Sequence, residues 1–184
     1  MNRKSMLTIG ITTVWVSVLG GLTTSAQDKY AVRVPGGLAF SEFRGYEVWQ
    51  SISISRNDRV VAVILGNPAM IDAYEAGFPG NGKPVPDGAK MAKIHWIPKQ
   101  NEFFPDATVP GDLVNVDFMQ KDSKRFADSG GWGYAVFDYN AASDTFTPGT
   151  TTDTPPQGND AKCGFACHTR AKARDYVFTE YGKR

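Results

Sequence analysis

The sequence predicts an α+β fold, mainly β-sheet with a few packed helices, on three observations. Apolar and polar residues alternate from Val48 to Ser55, further strand-like runs recur between turn-forming residues, and only one stretch has a well-marked helix start and stop. Val48, Gln50, Ile52 and Ile54, set against Trp49, Ser51, Ser53 and Ser55, predict a strand with one buried face. Asn57-Asp58 turns the chain, so Val60 to Leu65 becomes the second, antiparallel strand of a hairpin, buried on both sides near its middle. Asn67 followed by Pro68 predicts a helix start, with a side-chain oxygen for the free amides and proline at the first helical position; Gly77 is the stop. Further strands fit Lys90 to Ile97, Leu113 to Met119 and Trp132 to Tyr139, with a short helical turn at Lys124 to Ala127 before the last. Thr145 to Asp160 holds Pro148, Pro155, Pro156 and several threonines without an apolar period, and reads as a long loop.

The N-terminus sets the expected compartment. Arg3 and Lys4, an apolar run from Met6 to Leu22 and the small residues Thr24-Ser25-Ala26 predict a secretory signal over residues 1–26, leaving 27–184 as one exported, periplasmic domain. Thr8, Gly10, Thr12, Thr13, Ser17, Gly20 and Gly21 make this run a poor permanent span, so no membrane association is expected after cleavage. The removed segment carries two basic and no acidic residues, so its loss takes the formal charge from +1 to about −1. Such a chain has no overall field to attract nucleic acid or acidic lipid. There is no repeat, heptad or phosphate loop, and Gly36-Gly37 and Gly130-Gly131 are isolated turn signals.

Both cysteines, Cys163 and Cys167, and one of the two histidines, His168, fall within six positions. Exported cysteines are normally paired or spent on a covalent cofactor. Cysteine followed directly by histidine is the order found where haem is attached: two thiols add to the vinyl groups and the adjacent imidazole reaches the iron. The usual two residues between the cysteines are here three, Gly164, Phe165 and Ala166; on a helix this i, i+4 spacing keeps both sulfurs on one face. The competing reading is a local disulfide between Cys163 and Cys167. Zinc is a third, short of ligands because His95 is the one imidazole left. Asp160 could cap the haem-bearing helix near the C-terminus, and Lys162 and the basic residues from Arg170 to Arg174 could meet haem propionates or simply face solvent.

The tail "CGFACHTRAKARDYVFTEY", with "RGYEVW", "ILGNPAMIDAYEAG", "PDGAKMAKIHW" and "KDSKRFADSGGWGYAVF", resembles the cytochrome P460 family of small exported monohaem c-type proteins, over approximately Gly36 to Tyr181. The resemblance implies a homodimer of chains built on an antiparallel sheet with a few packed helices. It also implies hydroxylamine oxidation to nitrous oxide or nitrite at a five-coordinate haem whose porphyrin edge is bonded to a lysine, with electrons passed to an external acceptor such as a soluble cytochrome. By similarity Lys93 carries the cross-link, Cys163 and Cys167 the thioethers of haem c, and His168 the bond to iron.

Strand parity bears on the lysine. Lys93 shares a face with Met91 and His95, opposite Ala92, Ile94 and Trp96, and without the family it reads as a solvent-facing strand lysine; the two readings agree if this mixed face is the haem pocket. Lys90, three positions away, points to the other face. The proton acceptor that such chemistry needs is assigned to Asp117, grouped by alternation with Asn115 and Met119 opposite Val114, Val116 and Phe118; the bland reading is a solvated strand carboxylate. His95 is the second candidate, as base, sixth iron ligand or surface residue. Phe78, Phe103, Phe104 and Trp132 are candidate walls of the distal pocket. Two other functions fit the same motif: a c′-beta-type protein binding nitric oxide or carbon monoxide without turnover, and an electron carrier with His95, Met70, Met91 or Met119 as sixth ligand.

Overall fold

The computed structural model describes residues 27–151 and 164–184. Its frame is one six-stranded antiparallel sheet in sequential order: β1 (Gln50–Arg56), β2 (Val61–Gly66), β3 (Lys90–Gln100), β4 (Thr108–Lys121), β5 (Trp132–Asn140) and β6 (Thr145–Pro148). A helix, α1 (Pro68–Glu75), links β2 to β3. It starts as its sequence dictates: Asn67 Oδ1 accepts from Met70 N at 3.1 Å, and Gly77, with φ of 94°, turns the chain out. No helix among the described residues is long and apolar enough to cross a membrane.

Successive side chains on a strand point to opposite faces, and both faces of this sheet are covered. Leu65, Ala92, Val116, Phe118, Ala135 and Phe137 meet Val34, Leu38, Phe40, Phe43 and Tyr46, which are borne by the segment preceding β1. Phe118 is the centre of this layer: its ring stacks on Phe43 at 4.0 Å between centroids and takes edge contacts from Phe40 and Tyr46 at 5.2 and 5.1 Å. Lys90 lies on this side, its Nζ donating to Glu42 O at 2.6 Å, as parity predicts. On the other face Ile64, Met91, Met119 and Tyr134 pack with Met70, Ile71 and Tyr74 of α1, with Phe78, and with Val177 of the C-terminal segment.

Four sequence expectations are corrected. Val48 is 88% and Ile54 73% exposed; of the predicted apolar face of the first strand, only Ile52 is buried. Val48 belongs to a 3-10 turn (Tyr46–Val48), and a bulge between Ser51 and Ser53 resets the side-chain alternation of an edge strand. Part of the predicted loop, Thr145–Pro148, is strand β6, whose buried Phe146 packs on Phe40 and Tyr139. β3 and β4 run to Gln100 and back from Thr108, because Pro98 and Pro110 face each other across a register irregularity and the pairing continues beyond them. The turn expected at 124–127 is a 3-10 helix over Ala127–Ser129, preceded by Asp122 Oδ1 accepting from Lys124 and Arg125 N.

Candidate functional site

One cavity of about 490 Å³ opens on the α1 side of the sheet, within the size range of small-molecule and cofactor pockets. The register builds its floor in rows. Ile64, Lys93 and Asp117 are successive cross-strand partners, and so are Met91, Met119 and Tyr134. Ser53 and Ser55 border it from β1, and the C-terminal segment closes it with Cys167, His168, Phe178, Thr179 and Glu180.

That segment begins with a single helical turn, α2 (Phe165–His168), continued as a 3-10 helix over Thr169–Arg174. Cys167 and His168 sit at the end of α2; Cys163, Asp160 and Lys162 lie outside the described residues. The segment is strapped to the sheet and α1: Tyr74 Oη donates to Thr179 O at 3.0 Å, Tyr181 stacks on Tyr74 at 5.3 Å, and Gln50 Nε2 bonds the Tyr181 hydroxyl. Of the basic residues, Arg170 and Lys172 are exposed, and Arg174 pairs with Glu180 at 3.2 Å.

His168 is held by its ring. Its Nδ1 lies 2.6 Å from Tyr176 O. A carbonyl can only accept, so Nδ1 carries the proton and Nε2 carries the lone pair, the arrangement in which imidazole is a metal ligand. Tyr134 and Phe178 flank the ring with centroids 5.1 Å away on either count. Burial raises the Tyr134 phenol far above its ordinary range, so it stays neutral and lines the floor as an apolar wall with a polar tip.

Thus four of the residues singled out from the sequence and described here, Lys93, Asp117, Cys167 and His168, border the same space. Met91 and Met119 do as well, whereas Met70 is in the core. The aromatic walls are not those expected. Phe103 is 91% exposed and Phe104 exposed beside it at the β3–β4 turn, while Phe78 and Trp132 are core residues; Tyr134 and Phe178 line the cavity instead. Among the described residues no cluster of His, Cys, Asp and Glu suits a bare metal ion.

His95 is not a surface residue: it is 6% exposed, is absent from the cavity lining, and places Nδ1 3.6 Å from Asp117 Oδ2. Asp117 Oδ1 accepts from Asn115 Nδ2 at 2.9 Å. Burial, then the Lys93 charge, push His95 down from 6.5 to about 4, against a smaller upward pull from Asn115. The folded state therefore keeps the ring neutral while the unfolded chain protonates it below 6.5. Its contribution is fully present above that pH and is lost as pH falls toward 4, in total about 3 kcal/mol. Urea unfolding at pH 7 and pH 4.5 checks this: His95→Asn should flatten the acid loss of stability, and an unchanged slope contradicts it.

The residues present fit a haem. The cavity is mostly apolar in its lining, it is bounded by a thiol and an imidazole adjacent in sequence, and that imidazole's tautomer leaves Nε2 basic. A model of the family described as Cytochrome P460 matches residues 43–179, most of the chain. The comparison with curated proteins returned no match.

Proposed function

From the premise that this chain belongs to the cytochrome P460 family, and is a haem protein of that type, we propose that it is a c-type haem oxidoreductase converting hydroxylamine to nitrous oxide or nitrite. The observation that carries this reading is the shared border of Lys93, Asp117, Cys167 and His168 around one cavity. Thioethers to Cys163 and Cys167 would hold the macrocycle, His168 Nε2 would hold the iron, and Lys93 Nζ would bond its edge. A bonded, neutral nitrogen spares the cost of keeping an ammonium in a half-buried, largely apolar site. The bound haem supplies a redox iron that takes electrons from hydroxylamine and passes them to an external acceptor such as a soluble cytochrome.

The protein's own groups handle what the metal does not. Asp117 accepts the protons that hydroxylamine sheds as it loses electrons, and the hydrogen bond from Asn115 Nδ2 orients its carboxylate. Met91, Met119 and Ile64 exclude bulk water around it. On this reading the N-terminal pattern of residues 1–26 supports export to the periplasm, where the chain would act as a homodimer.

Lys93→Ala tests the proposal. The expected variant retains covalent haem but loses a ferrous Soret band that lies well to the red in the parent. A parent band already at the ordinary position favours a gas-binding protein without the cross-link, and a six-coordinate low-spin parent favours an electron carrier.

A further inference from the structure

We infer that Asp175 is a positioning residue for the His168 imidazole, acting through the Tyr176 carbonyl; the inference rests on the reading of His168 as the iron ligand. Asp175 and Tyr176 are consecutive non-glycine residues in the left-handed region, with φ of 47° and 64°. Such backbone is unfavourable for residues with a Cβ and persists only where surrounding contacts over-determine it.

Here the contacts come from several elements of the frame. Lys121 Nζ, at the end of β4, donates to Asp175 Oδ1 at 2.6 Å, and Val85 N donates to Oδ2 at 2.8 Å. Trp132 Nε1, at the start of β5, donates to Asp175 O at 2.8 Å. The segment's own turn adds Asp175 N to Lys172 O and Tyr176 N to Ala171 O. Gly130 completes the seat: a Cβ there would stand 2.2 Å from the Tyr176 ring.

The product of this geometry is a carbonyl aimed back eight residues at His168 Nδ1. The Nδ1–H···O bond sets the basicity of the opposite nitrogen: the stronger it is, the more imidazolate character reaches the metal. Asp175, seated by Lys121, Val85 and Trp132, therefore tunes the iron without touching the haem.

The test uses the haem-loaded protein. In the ferrous state, Asp175→Asn is expected to shift the iron–histidine stretching band to lower wavenumber and to raise the midpoint potential, with a larger shift in Asp175→Ala. Should the alanine variant fail to accumulate, the isosteric asparagine variant decides alone. Unchanged band and potential in Asp175→Asn, with only a lower unfolding temperature, would overturn the inference and leave the pair a structural fastening. A parent protein with no haem on Cys167, or with haem but no iron–histidine band, would overturn the ligand reading itself, which separates the two failures.

Discussion

Replacing Asp117 by asparagine is expected to lower hydroxylamine turnover by about 10²–10⁴-fold, the usual worth of a positioned general base. Asparagine preserves size and the capacity to bond Asn115, so covalent haem and its spectrum should be retained. What disappears is the acceptor on the cavity border opposite Lys93. His95 cannot take over directly, because it stands behind Asp117, outside the cavity lining. The turnover of the variant should also show a changed acid-side pH limb, since of the two carboxylates that border the cavity among the described residues only Glu180 remains. Turnover within a few-fold of the parent, with an unchanged pH profile, would assign proton removal to another group.

The second large effect concerns the opposite face. Phe118→Ala should cost about 3–5 kcal/mol, the range for removing a buried aromatic ring that neighbours cannot collapse around. The ring is nearly inaccessible and is held by Phe40, Phe43 and Tyr46 from a segment distant in sequence. In thermal unfolding this amounts to a fall on the order of 10 °C for a domain of this size. Because its neighbour Asp117 faces the cavity while the Phe118 ring enters the N-terminal layer, the folded variant should keep its haem spectrum. A loss below about 1 kcal/mol would mean that the N-terminal segment does not form this layer in solution.

These two neighbours show what could be read in advance. Alternation on β4 was enough to send Asp117 and Phe118 to opposite faces, and on β3 to separate Lys93 from Lys90, because strand parity is a local property. Helix α1 was legible for the same reason, its cap and stop being chemistry within a few residues. Long-range effects escaped. The β1 bulge and the edge position expose Ile54 despite a regular pattern, and β6 exists because β5 offers it a partner and the core offers Phe146 a place. Phe103 and Phe104 illustrate the converse: aromatic character alone does not say whether a ring is covered.

Within the site, "CH" pointed to His168, but nothing in the sequence marked its acceptor. The Tyr176 carbonyl reaches Nδ1 only because Lys121, Val85 and Trp132 hold a turn that neither Asp175 nor Tyr176 would adopt unaided. Tyr134 was missed because β5 is apolar on both faces and its alternation carries no contrast.

The intact mass of the denatured protein tests the central claim most directly. Thioether attachment through Cys163 and Cys167 predicts a single species heavier than its polypeptide by one haem, coloured even after unfolding. A colourless chain at the bare polypeptide mass, with those two sulfurs joined to each other, would contradict it.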